Sequence, residues 1–422
     1  KWDIKDNGQI PVKLGLPQVK AVRCTNKPNP NNNTKAPSPA LTAPALWFGP
    51  VQNGKVQMYS ASVSTYPGSS SSRIFLQELK TQTDPARPGR HSLAALDTQN
   101  IKSREPNFNS RQTVIRLPGG VYKINPGKNG GRVAGINGND GKNDTFGIFK
   151  DRYVTPETDE WSEVLLPWTA RYYGNDDIFK TFNQPNNKKQ SDKKQYSQKY
   201  RIRTKEDDND KPRDLGDIVN SPIVAVDGYL ATSANDGMVH IFKKNGGSDE
   251  RSYNLKLSYI PGTMERKDIE GNDSDLAKEL RTFAEKGYVG DRYGVDGGFV
   301  LRRITDDQDK QKHFFMFGAM GLGGRGAYAL DLSKIDSSNL TGVSMFDVQN
   351  DKNNNKNDNN RVKLGYTVGT PQIGKTQNGK YAAFLASGYA AKDINSNDNK
   401  TALYVYDLEN GSGSLIKKIE AP

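Results

Sequence analysis

The chain has 422 residues, of which 34% are hydrophobic and 26% are charged, and its formal net charge at pH 7 is +12. This length allows two or three domains or one large β domain. No apolar run reaches the ~18 residues that a membrane-spanning helix needs, so no transmembrane segment is predicted. With Cys24 as the single cysteine, the composition excludes a disulfide framework within the chain.

Residues 1–50 are rich in proline and asparagine and lack apolar periodicity. This composition is typical of a linker or an extended lead-in. We therefore predict a lead-in over residues 1–50 and one folded domain over residues 51–422. The start at Lys1, without methionine or a signal peptide, leads us to expect a segment of a longer protein, in which Cys24 is a free thiol or pairs outside this chain.

From there on, short apolar segments alternate with clusters of glycine, asparagine and aspartate, which is the pattern of β-strands. The predicted strands cover residues 56–63, 73–79, 113–117, 223–226, 229–233, 238–242, 314–320, 327–332, 381–386 and 402–408. The best helical pattern covers residues 274–286, where Leu276, Leu280 and Phe283 share one face. The sequence thus predicts a mainly β fold with one short helix.

Three segments that start near residues 228, 312 and 380 share one plan. In each, an apolar strand runs into a loop of small or polar residues, and a second strand carries aromatic residues. Recurring strand pairs of this kind are typical of β-propeller blades, because a single blade cannot bury its own faces. We predict a modified β-propeller with long inserted loops, and the irregular spacing leaves the number of blades open.

The sequence offers little that points to catalysis. Two of its three histidines, His240 and His313, lie in predicted strands without a metal-spaced partner, so we interpret them as ordinary strand residues. No G-x-S-x-G elbow occurs. Catalysis by a pair of carboxylates stays open, because the distance between two carboxylates depends on the fold. Residues 321–326 match G-x-G-x-x-G but precede a predicted strand, not a helix. We interpret them as a connection between strands and predict no organic cofactor.

A loop that begins at residue 351 is rich in oxygen ligands. Its candidate calcium ligands alternate along the chain and are Asp351, Asn353, Asn355, Asn357 and Asn359. The loop lacks the glycine and the final glutamate of an EF-hand, and neutral amides would bind calcium weakly. A solvent-exposed loop tip is the alternative interpretation.

A basic run over residues 187–205 supplies the candidates for partner binding. They are Lys188, Lys189, Lys193, Lys194, Lys199, Arg201 and Arg203. An acidic run follows at once over residues 206–214, and adjacent runs of opposite sign favour a solvated loop. Because few aromatic residues are interleaved with the basic ones, we predict no binding to nucleic acid.

Several ordered segments resemble the PilC/PilY family of type IV pilus-associated proteins. DLGDIVNSP (214–222) and ANDGMVHIF (234–242), which we call the signature segments, are similar to the family's LGDIVxSxP and ANDGMxHxF blocks. GLGGRGAYALDL (321–332), LGYTVGTPQI (364–373) and ALYVYDLENGSGSLIKKI (402–419) resemble the next blocks, in the same order. The resemblance is firm over residues 214–422, weaker over 56–213 and negligible before residue 50.

The resemblance implies a non-enzymatic modified β-propeller that is exported through the periplasm to the outer membrane, the cell surface or the pilus. Such proteins support pilus assembly by opposing retraction and contribute to adhesion, so the implied partners are pilus components and a host-cell receptor. The basic run is our candidate contact surface for adhesion. The family is also associated with calcium, whose main site we expect beyond residue 422, together with the last blade or blades.

Two other functions stay open at this point. One is a quinoprotein-like propeller oxidoreductase, because residues 402–419 are similar to the repeats of such dehydrogenases, although lysines stand where those repeats end in tryptophan. The other is a structural scaffold of the pilus machine that makes no host contact.

Overall fold

The computed structural model describes most of the chain from residue 45 onward. The described residues are 45–53, 55–62, 72–94, 105–126, 133–137, 139–150, 155–171, 200, 204–205, 211–212, 214–246, 252–286, 293–352, 357–390 and 400–422. Most of the predicted lead-in therefore lies outside them, and the division into a lead-in and a domain stays a prediction.

Two groups of strands precede residue 220. Blade A is a four-stranded antiparallel sheet made of β1 (Ala45–Phe48), β2 (Lys55–Ser62), β3 (Arg73–Thr83) and β4 (His91–Leu93). The segment after it supplies β5 (Gln112–Leu117), β6 (Gly120–Pro126), β7 (Val133–Ala134), β8 (Thr204–Lys205) and β9 (Lys211–Pro212).

Three more blades follow, each with four antiparallel strands. Blade B contains β10 (Ile223–Val226), β11 (Tyr229–Ala234), β12 (Met238–Lys244) and β13 (Tyr253–Ile260), and it belongs to a seven-stranded sheet of order β10-β11-β12-β13-β5-β6-β7. A hairpin of β14 (Glu265–Lys267) and β15 (Asp273–Asp275) leads to the next blade. Blade C contains β16 (Phe299–Thr305), β17 (Gln311–Ala319), β18 (Ala327–Asp331) and β19 (Ser344–Val348). Blade D contains β20 (Gln372–Lys375), β21 (Tyr381–Ala386), β22 (Ala402–Asp407) and β23 (Leu415–Glu420).

The four blades are arranged as in a propeller. The first strand of each blade contacts that of the next: β1 contacts β10, β10 contacts β16, and β16 contacts β20. An aromatic pair joins each neighbouring pair of blades, with centroid distances of 5.9 Å for Tyr59–Tyr253, 4.7 Å for Tyr229–Phe314 and 6.5 Å for Phe317–Tyr406. The predicted modified β-propeller is therefore confirmed.

The sequence repeat corresponds to the two central strands of a blade. Its three copies coincide with β11–β12, β17–β18 and β21–β22, and all ten predicted strands occur. Central strands are covered by neighbouring blades on both faces; β11, for example, is buried along its whole length. Such strands form short segments of mostly apolar or small residues, which are easy to recognise in a sequence.

The helical prediction is partly wrong. Residues 273–275 form β15, a short 3-10 turn follows, and the α-helix begins only at Leu280, because the first residues pair with β14 instead. A second helical segment was missed: one turn of π-helix, Trp161–Leu165, continues into α1 (Leu166–Thr169), and α2 is Leu280–Lys286. The described residues thus contain two short α-helices instead of one.

The glycine-rich segment 321–326 is confirmed as a connection between strands, here β17 and β18. Its glycines are required by close backbone approach. A Cβ atom on Gly323 would lie 1.6 Å from the carbonyl oxygen of Gly294, and one on Gly326 would lie 2.4 Å from that of Val348. Backbone atoms cannot move aside as flexible side chains can, so these glycines allow the close packing of the connection.

We predict that Gly323→Ala lowers the free energy of unfolding by about 2–3 kcal/mol, as overpacking does in other cores. Gly342→Ala is the matched control, because this glycine also lies in a 3-10 turn and its Cβ would meet only the Lys334 side chain, at 3.6 Å. Urea unfolding of both variants provides the measurement. Equal unfolding midpoints for the two would contradict the packing explanation.

Candidate functional site

The signature segments meet at Asp236, in the turn between β11 and β12. Its Oδ2 accepts hydrogen bonds from Arg171 Nη2 at 2.9 Å and from the backbone N–H of Gly216 at 2.8 Å. The same oxygen lies 3.2 Å from Nε2 of His240, and Oδ1 accepts from the backbone N–H of Met238 at 3.1 Å. One buried carboxylate thus joins both signature segments and Arg171, the second residue after α1.

The protonation states in this cluster follow from burial and charge. Burial lowers the pKa of His240, so its ring is neutral at pH 7, with Nε2–H donating to Asp236. Burial alone would raise the pKa of Asp236, but its interactions with His240 and Arg171 outweigh this effect and hold the pKa well below the usual range. Arg171 is therefore the charge partner of Asp236, and it adopts a left-handed backbone conformation (φ 59°) to reach it.

The cluster contains a hydrogen-bond chain that resembles a hydrolase triad. Ser258 Oγ lies 2.8 Å from Nδ1 of His240, which in turn bonds to Asp236. These three residues are at most 4% exposed, so a substrate has no access to the serine. The chain holds β12, β13 and the β11–β12 turn together, which confirms the interpretation of His240 as an ordinary strand residue.

The remaining polar residues of the signature segments connect blade B to the segment before blade C. Asn220 donates to Asp296 from its backbone N–H at 3.1 Å and from Nδ2 at 2.7 Å. Asn235 accepts from the backbone N–H of Gly294 at 2.9 Å. Burial raises the pKa of Asp296 to about 6, and the two hydrogen bonds from Asn220 oppose that shift only in part. The signature is therefore structural along most of its length.

A polar cleft is the candidate functional site. It has a volume of about 1010 Å³ and lies between β19 and the loop that leads to blade D. The β5–β6 turn and the β14–β15 hairpin complete its walls. Charged groups that line it include Arg116, Glu265, Arg325, Asp347 and Lys352. The lining residues come from well-separated parts of the chain, which explains why the sequence did not reveal the cleft.

The floor of the cleft is built around the buried carboxylate of Asp347. Its Oδ1 accepts from the Tyr259 hydroxyl at 3.0 Å and its Oδ2 from Thr263 Oγ1 at 2.8 Å, while Arg116 Nε lies 3.7 Å from Oδ1. Burial raises the pKa of Asp347, and the charge of Arg116 opposes this shift. Arg116 also donates to Ser344 Oγ at 2.7 Å, which ties the end of β5 to the start of β19.

The loop wall of the cleft is held by Arg325. Its Nε donates to the carbonyl oxygen of Leu364 at 2.8 Å, and its Nη1 lies 3.3 Å from Oε1 of Glu265. Asn350 accepts from the backbone N–H of Leu364 at 2.6 Å. These contacts fix both ends of the loop against the β14–β15 hairpin, so the cleft keeps its shape.

The predicted partner-binding residues lie outside the part of the chain that the structure describes. They are Lys188, Lys189, Lys193, Lys194, Lys199, Arg201 and Arg203. Their assignment stays a prediction.

The predicted calcium loop borders the cleft. Asp351 accepts from the backbone N–H of Val362 at 2.9 Å, and Asn357 and Asn359 are exposed, whereas Asn353 and Asn355 lie outside the described residues. Within the described ranges, no three His, Cys, Asp or Glu side chains come close enough to share a metal ion. Since the predicted ligands are mostly amides, the calcium prediction stays a prediction.

We predict that Asp236→Ala lowers the free energy of unfolding by about 3–5 kcal/mol, because it leaves Arg171 buried without its charge partner. Asp336→Ala is the control, since that carboxylate is half-exposed and pairs with Lys243 at the surface; its removal costs about 1 kcal/mol or less. Chemical denaturation measures both. A similar loss in the two variants would show that the cluster is not a structural centre.

Asp296 predicts a pH dependence of stability. Because the pKa of Asp296 in the folded chain is raised to about 6, its ionisation is disfavoured there. The free energy of unfolding therefore decreases as the pH rises from about 4 to about 7. The stability of Asp296→Asn relative to the unmodified chain should therefore increase over that range by about 3 kcal/mol. Urea unfolding at several pH values measures this difference, and a difference that does not change with pH would disprove the assignment.

The half of the chain that carries the signature segments is similar to known proteins. Residues 215–422 match a family model described as the PilY1 β-propeller domain. A type IV pilus biogenesis factor PilY1 homolog of Xylella fastidiosa is 29% identical over 193 residues, which is 46% of this chain and 10% of that protein. The type IV pilus biogenesis factor PilY1 of Pseudomonas aeruginosa is 29% identical over 221 residues, 49% of this chain and 17% of that protein.

Among solved structures, the chain is similar to the C-terminal domain of Pseudomonas aeruginosa PilY1, with 22% identity, a TM-score of 0.29, and coverage of 46% of this chain and 30% of that chain. The matches to the curated relatives span less than a fifth of each relative's length. None of the helices in the described part of this chain has the length and apolarity needed to span a membrane. The family match covers the blocks that resembled PilC/PilY proteins in the sequence. Through residues 215–422, the chain therefore belongs to the PilC/PilY family of type IV pilus-associated proteins.

Proposed function

We propose that this chain is a non-enzymatic component of the type IV pilus system that supports pilus biogenesis by opposing retraction. The observation that carries the proposal is the match of residues 215–422 to the PilY1 β-propeller domain, together with relatives named as type IV pilus biogenesis factors. Pilus components are then its partners. Since the match spans a small share of those relatives, the role of the longer proteins is carried over as part of the proposal.

The arrangement of charged groups supports binding in preference to catalysis. The triad-like chain at His240 is closed to solvent, and the cleft carboxylate of Asp347 has its oxygens occupied by Tyr259 and Thr263. An enzyme needs a reactive group within reach of its substrate. A propeller instead presents the loops of several blades on one surface, which suits protein recognition.

The proposal also includes export to the cell surface or the outer membrane and a contribution to adhesion through a host-cell receptor. The basic run over residues 187–205 is the proposed contact surface for adhesion, since clustered lysine and arginine attract acidic partners. Calcium is the proposed ion, bound weakly at the Asp351 loop and more strongly beyond residue 422. The family resemblance supports export, adhesion and calcium, whereas the basic run and the Asp351 loop are chosen for their composition.

Genetic complementation tests the proposed role. We expect a strain that lacks the gene to lose surface pili, and to regain them when the retraction motor is also removed, because pili then form without a protein that opposes retraction. Pili are counted by electron microscopy, and attachment to host cells is scored in the same strains. Complementation with Asp236→Ala should fail because the propeller is destabilised, whereas Lys312→Glu, at an exposed position, should restore pili.

Two outcomes would contradict the proposal. If the double mutant stays without pili, the protein acts in assembly itself and does not oppose retraction. If pili return but attachment is unchanged by the protein, the scaffold role without host contact is correct.

A further inference from the structure

The outer edges of blades B and C differ. The fourth strand of a blade is its outermost, and its free edge presents unpaired backbone N–H and C=O groups. In blade B this edge is covered, because β5 pairs with β13 in parallel, from Leu257 opposite Gln112 to Ile260 opposite Ile115. In blade C, β19 is the last strand of its sheet among the described residues. Among the described residues, the chain thus fills one such edge with its own strand, whereas no strand pairs with the next one.

The polar cleft follows this open edge. Three successive residues of β19, Met345, Phe346 and Asp347, line it. Successive side chains of a strand point to opposite faces of the sheet, so a cavity touches three in a row only when it runs along the strand's edge. The hydrogen bond from Arg116 of β5 to Ser344 places the covered edge of blade B beside the start of the open one.

The charges along this edge favour an acidic ligand. In the part of the chain that the structure describes, six basic and five acidic side chains line the cleft. Among the acidic ones, Asp347 is buried and lies 3.7 Å from Arg116, which offsets its negative charge. The side chains of Arg116 and Arg325 remain 21% and 16% exposed, and Glu265, which pairs with Arg325, is 31% exposed.

On the remaining walls, Lys352 is exposed on the loop side. On the hairpin side, Asp273 pairs with Lys267 at 2.6 Å, and Asp275 accepts from the backbone N–H of Lys278 at 2.9 Å. Arginine side chains are well suited to bind carboxylates, and the chain as a whole carries a net charge of +12.

We propose that the cleft binds an extended acidic segment of a partner protein, which adds to β19 as a further strand and places carboxylates against Arg116, Arg325 and Lys352. Main-chain hydrogen bonds to the edge give such a complex its affinity, and the basic side chains give it specificity. A cleft of about 1010 Å³ lined by polar groups fits a solvated polypeptide better than a small apolar ligand, which prefers an apolar pocket. The proposal rests on the pilus role only for the identity of the partner.

Peptide binding to the purified 422-residue chain tests the proposal. The probe is a short fluorescein-labelled peptide of alternating valine and glutamate, measured by fluorescence anisotropy. We expect saturable binding, no binding of the matched valine–lysine peptide, and no binding when prolines replace alternate valines, because proline cannot donate to the ladder. Lys352→Glu should weaken binding about fivefold or more, while Lys312→Glu, which lies outside the cleft, should change it less than about twofold.

Hydrogen exchange locates the bound peptide. We expect protection of amides in residues 344–352 when the peptide is bound, and none in β23, the outer strand of blade D. Equal binding of the lysine peptide, or unchanged exchange in residues 344–352 at saturating peptide, would overturn the proposal. If the peptide binds as expected but complementation fails, the docking site is supported and the pilus role is contradicted. If complementation succeeds but the peptide does not bind, only the docking site is contradicted.

Discussion

A four-stranded blade has two faces, and it can bury them only by packing against neighbouring blades. This constraint governs most of the described structure. Aromatic pairs such as Phe317–Tyr406 fill the space between blades. Gly323 allows its backbone to pack directly against that of Gly294. Where no described neighbour covers a face or an edge, apolar side chains stay exposed, as Phe48 (53%) and Ile419 (48%) do on blades A and D.

Apolar packing alone does not specify which segments meet between blades, because many apolar side chains are interchangeable there. The buried polar groups supply that specificity. Asp236 accepts from Arg171, Gly216 and Met238, which belong to three different segments, and a buried carboxylate that lost such partners would cost several kcal/mol. The recognisable sequence signature therefore marks buried contacts between segments of the fold. The polar cleft, in contrast, is lined by residues that follow no linear motif.

This division explains how much the sequence could predict. Buried strands such as β18 were found because they form largely apolar segments, whereas β23 was missed because Lys417 and Lys418 interrupt it at the outer edge. The helix starting at Leu280 was predicted too long, since pairing of β15 with β14 overrode the apolar periodicity. The cleft was beyond prediction, because it joins residues from Arg116 to Ser412 through tertiary contacts alone.

The proposed binding at β19 gives the outer strands of the blades a role beyond folding. The inner strands must be apolar and paired, so they are not available for recognition. An outer strand is free to vary, and its exposed edge attracts any strand that fits it unless something covers or charges it. Blade B covers its edge with β5, and the cleft along the edge of blade C is lined by charged residues that include Arg116, Arg325 and Lys352. In the proposed complex, these basic groups favour an acidic segment over a second copy of this basic chain, so the same charges that bind the partner would also disfavour pairing between two copies.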